Sequence, residues 1–290
     1  MQTYTLRRRS GEGLALTREH DAIALPRKGS IAWAAFDRAA YAEADLARAA
    51  ALWLTRAKQE MFSLALFTEL TSQLHLLGAP LDWSGAFARM IADEVRHTDL
   101  CMRMCEALGR PSEPTIEPEH LHLLHPTAPR GHVRSTVVAA FCIGETVSGR
   151  MFRRAHRAAD VPLARDVVAA ILADETFHGE LGWELGALLM RADGDAFERE
   201  REALAAELPK LFAHYAHLCC AAAGPSWARS EPEVDPGPNF GTLSDAGYAR
   251  AFFDGMEEDV VPGLAAIGLP EAEAAWSALV DDLERRPRPR

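Results

Sequence analysis

Apolar residues recur every three to four positions over most of this chain, which is the spacing expected of amphipathic helices. Glycine and proline interrupt the pattern at a few places and indicate where helices end. Four long helices, labelled A to D, are predicted at residues 43–77, 82–108, 132–159 and 163–190. Few segments are rich in β-branched residues, so the predicted fold class is all-α.

The segment between helices B and C, residues 110–131, carries five prolines and is too irregular for a long helix. Its length suits a crossover between the two halves of a helical bundle. Short turns join helix A to helix B and helix C to helix D, which favours two antiparallel pairs. We therefore expect a four-helix bundle with one long crossover.

The two ends of the chain follow other patterns. Residues 1–40 lack clear periodicity, and a small hairpin is predicted between residues 4–6 and 14–17. Beyond helix D, a further helix is predicted at 196–223, with a kink or break at Pro209.

A surface loop at 224–243 and two shorter helices at 244–261 and 270–284 complete the predicted elements. The predicted organisation has three parts: an irregular N-terminal segment, the bundle and a C-terminal helical extension packed on the bundle. Their bounds are residues 1–40, 41–192 and 193–290.

Composition narrows the functional classes. The net charge of −11 and the pI near 5.5 argue against nucleic acid as a partner, because an acidic surface repels phosphate. The five cysteines show no Cys-x-x-Cys spacing, which argues against a zinc ribbon or disulfide framework and favours the cytoplasm. No signal-peptide core and no apolar run of about 18 residues is present, so we expect no membrane partner.

The sequence Asp-Glu-x-x-His occurs twice, at residues 93–97 in helix B and at residues 174–178 in helix D. In a helix, the Glu and His of this motif project from one face, one turn apart. Two further Glu-x-x-His pairs overlap at residues 117–122, inside the proline-rich crossover. Chance supplies about 0.06 of the full motif in a chain of this composition. Its recurrence therefore indicates a common function.

The other two long helices each offer a candidate inward carboxylate. Glu145 is the one predicted for helix C, where it lies on the apolar stripe. Helix A offers Glu60 or Glu69, and we favour Glu60 because apolar residues surround it at helical spacing, whereas Ser72 and Gln73 follow Glu69.

Carboxylates on buried helix faces require cations, since burying an unpaired charge costs several kcal/mol. Two divalent metals would neutralise four carboxylates, and an oxygen-rich site favours iron or manganese over zinc. Bridging carboxylates would hold such metals about 3.5 to 4 Å apart. The predicted ligands are Glu60, Glu94, His97, Glu145, Glu175 and His178. We expect Asp93 and Asp174 to accept hydrogen bonds from the imidazole N–H groups of the metal-bound histidines.

The order Glu, Glu-x-x-His, Glu, Glu-x-x-His resembles the ferritin-like superfamily of carboxylate-bridged di-iron proteins. A closer resemblance is to bacterial ferritin-like-domain proteins, at residues 60–67, 77–80, 93–97 and 174–183. Together these segments cover about residues 41–192. The resemblance implies a ferritin-like bundle that binds two irons and uses O2 as co-substrate.

Members of this superfamily include oxidases and oxygenases that hydroxylate, desaturate or N-oxygenate organic small molecules. The amine N-oxygenase branch has a third histidine where this chain has Ile171, which makes that branch a poorer match. The expected function is oxidation of a small-molecule substrate, with electrons from a donor protein or from the substrate. The alternatives are a ferroxidase or iron-handling protein, a metal-stabilised non-catalytic module, and a manganese–iron centre. The oligomeric state is open, a homodimer included.

Residues one or two turns from the predicted ligands are candidates for a substrate pocket. They are Ser63, Phe67, Cys101, Cys142, Ser148 and Phe152. The two cysteines are more typical of small buried apolar side chains than of pocket residues. Ser148 could relay protons to a metal-bound oxygen, but a serine that packs between helices fits as well.

Overall fold

The computed structural model describes residues 3–8, 14–27, 29–118, 121, 129–191 and 195–288. The described chain is mostly helical, so the predicted all-α class is confirmed. It divides into two compact units, of which unit 1 comprises Met1–Pro129 and Ala159–Asp174, and unit 2 comprises Arg130–Ala158 and Glu175–Arg290. The ferritin-like topology and the three-part organisation stay predictions.

Unit 1 is built on two long helices, α2 (Glu43–Leu76) and α3 (Leu81–Ala107), which pack along each other. Gly78 has φ of +74° directly after α2, a left-handed conformation that ends a helix at little cost in glycine. Helix α1 (Leu14–Ala24) packs on α3. Two short 3-10 turns, Trp33–Ala35 and Arg38–Ala40, lead into α2.

Unit 2 begins with an interrupted helix. Helix α4 (Pro129–Thr136) passes into a π-helical stretch, Val137–Glu145, which we call the π segment, and then into α5 (Thr146–Ala158). The remaining elements are α7 (Asp195–Leu218), α8 (Pro225–Ser230), α9 (Asp245–Gly255), a π turn (Met256–Val260), α10 (Val261–Ala266) and α11 (Glu271–Glu284). Helix α6 (Pro162–Leu189) contributes its first part to unit 1 and, from Glu175 onward, its second part to unit 2.

An aromatic cluster fixes the C-terminal helices of unit 2. Phe212 of α7, Phe252 and Phe253 of α9, and Trp276 of α11 are buried, with ring centroids 5.5 to 6.2 Å apart. Such aromatic contacts add to the free energy gained by burying the rings. Helix α7 is therefore anchored in the core of this unit.

The predicted N-terminal hairpin is wrong. Residues 14–17 belong to helix α1, and the strand β1 (Tyr4–Thr5) pairs instead with β2 (Thr115–Ile116), antiparallel. A partner more than a hundred residues away leaves no local turn signal, which is why the sequence pattern missed it.

Two further differences concern the C-terminal part. Helix α7 continues through Pro209, so the break considered there does not occur, and the buried Leu208 and Phe212 on either side hold the helix in the core. The predicted loop at 224–243 contains the short helix α8, whose first residue is Pro225, a favourable residue at a helix start. Within the described parts of the chain, no helix is long and apolar enough to cross a membrane.

Candidate metal site

Helices α2 and α3 bring together three predicted ligands in unit 1: Glu60, Glu94 and His97, which we call group 1. One ligand-type atom from each lies within 4.8 Å of the others. The Nδ1 atom of His97 is 3.7 Å from Glu60 Oε2 and 3.7 Å from Glu94 Oε1. All three side chains are buried, and His97 is fully enclosed.

The structure also distinguishes the two candidate carboxylates of α2. Glu60 faces the imidazole of α3, whereas Glu69, equally buried, accepts a hydrogen bond of 2.7 Å from Gln73 Nε2 one turn further along α2. Glu60 is therefore the carboxylate that joins the group.

Asp174, on the part of α6 that belongs to unit 1, lies on the opposite edge of the His97 ring. Its Oδ2 atom is 3.4 Å from His97 Nε2, as expected of a carboxylate that accepts a hydrogen bond from the imidazole N–H. This contact leaves Nδ1 directed at the two glutamates. Asp174 therefore orients His97 within group 1.

The second predicted acceptor, Asp93, contacts arginines. Arg96 Nη1 donates to Asp93 Oδ1 at 2.7 Å and to Asp174 Oδ2 at 2.8 Å, and so connects the two aspartates. Arg27, from the segment after α1, donates to Asp93 at 2.9 Å through Nε. The Nε atom of Arg96 donates to the carbonyl of Leu25 at 2.8 Å. The N-terminal segment thus completes the polar surroundings of group 1, and its pattern in the sequence gave no sign of this.

The charges in group 1 shift three pKa values. Burial alone lowers the pKa of His97, but the nearby carboxylates of Asp174, Glu60 and Glu94 outweigh it and raise that pKa well above its usual value. Burial alone would raise the pKa of Glu60 and of Asp174, yet the adjacent imidazole of His97 lowers the pKa of both carboxyls. Metal binding to His97 therefore competes with protonation of its imidazole.

Unit 2 contains a second set, which we call group 2: Glu145, the last residue of the π segment, with Glu175 and His178 of α6. Their ligand-type atoms also lie within 4.8 Å of one another. His178 Nδ1 is 3.5 Å from Glu145 Oε2. Glu145 is 9% exposed and the other two less, so group 2 too is almost removed from water.

Glycines on α6 allow it to approach the π segment closely. A Cβ on Gly182 would lie 2.6 Å from the Cβ of Phe141, and one on Gly186 would lie 2.9 Å from Cys142 Sγ. The Cys142 thiol donates to the carbonyl of Gly182 at 3.6 Å. Close packing of backbones, made possible by the absence of side chains, thus sets the separation between Glu145 and the ligands on α6.

Tyr215, on α7, also contacts the π segment. Its hydroxyl donates to the carbonyl of Ala139 at 2.6 Å, and burial followed by the nearby Glu145 carboxylate raises its pKa. Tyr215 is not among the predicted site residues, because nothing in the helical pattern of α7 indicates which side chain reaches another helix.

The predicted pocket residues have mixed environments. Phe67, Cys101, Cys142 and Phe152 are buried. Ser63 and Ser148 are half-buried. That these six residues line a substrate pocket stays a prediction. The other Glu-x-x-His pairs rely on Glu119, His120 and His122, which lie outside the described residues.

The geometry of both groups fits a bound cation. Two donor atoms about 2.1 Å from one ion can be at most about 4.2 Å apart. The separations of 3.5 and 3.7 Å between imidazole nitrogen and carboxylate oxygen lie within that limit. A buried Glu/His cluster in this protein can therefore hold a metal ion.

No family model, curated protein or solved structure matches the chain. The functional interpretation therefore depends on the chemistry of the two groups.

Proposed function

We propose that this protein is a non-haem di-iron oxidase or oxygenase that acts on an organic small molecule. The observation that carries the proposal is the presence of two buried sets of two carboxylates and one imidazole, each compact enough for one ion. Each set contains the Glu and the His of one copy of the Asp-Glu-x-x-His motif.

The order of the six residues supports two ions per chain, because it is the order found in carboxylate-bridged di-iron proteins. Two consecutive residues of α6 have different contacts: Asp174 contacts the imidazole of group 1, and Glu175 belongs to group 2.

The donor atoms support iron. Four carboxylates and two imidazoles offer hard oxygen and borderline nitrogen ligands, whereas structural zinc sites are typically closed tetrahedra rich in sulfur and nitrogen. Four negative charges are balanced by two divalent ions, which removes most of the cost of burying the carboxylates. When bound, such an iron pair would donate two electrons to O2, which is the chemistry needed to oxidise a substrate.

The residues of the chain have separate tasks in this proposal. Glu60, Glu94 and Glu145 bind metal with their carboxylate oxygens, and burial excludes bulk water from them. Asp174 holds the proton on Nε2 of His97, so that Nδ1 is the atom available to metal. A donor protein or the substrate itself must provide the electrons that complete each turnover.

The proposal is tested by loading the metal-free protein with Fe²⁺ anaerobically and then admitting O2, with oxygen consumption and near-ultraviolet and visible absorption recorded together. Zn²⁺-loaded protein is the matched control, since zinc has no redox chemistry. We expect rapid O2 uptake and a transient absorption band with iron alone. Such a result would justify a screen of small-molecule substrates.

Each other outcome points to a different class of protein. Continuous ferric mineral formation beyond two irons per chain would indicate a ferroxidase or iron-storage role. Iron that binds but does not react with O2 would indicate a metal-stabilised module. Either result would contradict the proposed oxygenase.

A further inference from the structure

The hydroxyl of Tyr215 contacts two residues of the π segment that are five positions apart. It donates to the carbonyl of Ala139 at 2.6 Å, and it lies 2.9 Å from the point where a Cβ on Gly144 would be. In a π-helix, backbone hydrogen bonds join residues five positions apart, whereas in an α-helix they join residues four positions apart. Tyr215 therefore lies against one complete π repeat.

The register of this segment decides where Glu145 points. Glu145 is the last residue of the π segment, and its Oε2 atom is 3.5 Å from His178 Nδ1. A return from the five-residue to the four-residue repeat would displace the following side chain by one position, or about 100° around the helix axis. The carboxylate would then no longer face the imidazole.

π-Helices are rare and mostly occur as single turns inside α-helices, so a stretch of nine residues needs support from its surroundings. Helix α7 can provide that support because Phe212 and Ala216, on either side of Tyr215, are buried in the core of unit 2. The absence of a side chain at Gly144 gives the hydroxyl room to reach Ala139. The tyrosine and the glycine thus form a matched pair.

We propose that Tyr215 is a positioning residue whose hydroxyl, seated against Gly144, holds the π register that presents Glu145 to the metal of group 2. Its role in metal binding rests on the proposed function, whereas its effect on the π register does not. The two parts can therefore be tested separately.

The first test uses the metal-free protein and compares Tyr215→Phe, Gly144→Ala and the double variant. Amide hydrogen exchange of residues 137–145 is the readout, because it reports the opening of these hydrogen bonds. Tyr215→Phe removes the donor, and Gly144→Ala pushes the hydroxyl away, so each should speed exchange. In the double variant the phenylalanine leaves space for the new methyl group. We therefore expect its exchange to resemble that of Tyr215→Phe alone.

Two control variants make the same chemical changes elsewhere. Tyr248→Phe removes the hydroxyl of another half-buried tyrosine, and Gly85→Ala adds a methyl group to a helical glycine with nothing within 4 Å. Neither should alter exchange at residues 137–145. Unchanged exchange in Tyr215→Phe, or effects of the two single changes that simply add, would overturn the proposal.

The second test measures the affinity of each variant for Fe²⁺ by anaerobic titration. Gly144→Ala should weaken one metal equivalent by about 10- to 100-fold, the usual effect of a residue that orients a ligand. Tyr215→Phe should weaken it less, and the double variant should recover most of the loss seen in Gly144→Ala. Altered exchange with unchanged iron affinity would overturn the positioning role and leave the proposed function intact. If the unmodified protein bound no iron, the proposed function would fail, while the exchange experiment would still decide whether Tyr215 holds the π register.

Discussion

Group 1 and group 2 contain the same three ligand types, yet their surroundings differ. Behind His97 of group 1 lies a network of charges, in which Arg96 and Arg27 neutralise Asp93 and Asp174. Group 2 is bordered instead by close backbone packing, a π-helical segment and the hydroxyl of a tyrosine. The same set of ligand types is thus positioned mainly by charge in group 1 and mainly by close packing in group 2.

This difference predicts two kinds of sensitivity. Group 1 should be damaged by substitutions that remove charge, because its buried aspartates depend on nearby arginines. Group 2 should be damaged by substitutions that add volume, because its helices are in contact at glycines. Both should fail when a ligand is removed.

The largest effect is expected from removal of one ligand in either group. Glu94→Ala and Glu175→Ala should each lose bound metal, and the protein should melt at a lower temperature in the presence of iron, since a metal that binds only the folded state stabilises it. Elemental analysis and thermal melts measure both effects. Glu180→Ala, an exposed glutamate on α6, is the control and should keep its metal. Unchanged metal content in both ligand variants would contradict the assignment.

Substitution of Arg96, which contacts both aspartates, should show how far group 1 depends on neutralisation of their charge. Arg96→Met leaves Asp93 and Asp174 buried with one cation fewer, so the free energy of unfolding should fall by about 3–5 kcal/mol. Urea denaturation of the metal-free protein measures this. Arg201→Met breaks only exposed ion pairs with Glu198 and Glu271, and should cost less than about 1 kcal/mol. Equal effects of the two substitutions would show that no such network supports group 1.

Substitution by alanine should have different effects at two glycines of α6. Gly182→Ala would place its Cβ 2.6 Å from the Cβ of Phe141, so we expect a loss of about 1–3 kcal/mol in unfolding free energy. Gly179→Ala meets no atom within 4 Å and should be neutral or stabilising by up to about 1 kcal/mol. Denaturant unfolding of both variants tests the contrast. A Gly182→Ala variant as stable as the original protein would contradict close packing beside group 2.

The smallest effect concerns the buried cysteine thiols, which should be equally unreactive in the two units. Burial raises the pKa of Cys105 in unit 1 and of Cys142 in unit 2 to about 12 each. Because the thiol pKa is higher in the folded than in the unfolded protein, the folded state is stabilised at pH values below the unfolded pKa of about 8.5. This stabilisation is lost as the pH rises toward 12. At pH 8 only about one thiol in ten thousand is ionised, so alkylation should be negligible until urea is added. Rapid labelling of either residue in the folded protein, detected by mass spectrometry, would show that it is exposed.

Much of the helical fold was predictable from sequence because its signals are local. Apolar periodicity placed α2, α3 and α6 within a few residues of their observed ends, and the motif spacing placed Glu94 beside His97 on one helix face. Glu60 was distinguished from Glu69 by its apolar neighbours.

Features that depend on distant contacts were not predictable in this way. The pairing of β1 with β2 and the approach of Arg27 to Asp93 join residues far apart in sequence. The π segment was not predicted, because apolar positions about four residues apart are compatible with hydrogen bonds over either four or five residues. Tyr215 is recognised only once α7 is seen to contact that segment.

The central claim is that the chain binds two metal ions through six buried side chains. The most direct test is an anaerobic titration of the metal-free protein with Fe²⁺, with bound iron counted by elemental analysis. We predict two irons per chain in the original protein and none in a Glu94→Ala/Glu175→Ala double variant. Absence of bound iron in the original protein, or equal iron in both proteins, would contradict the account.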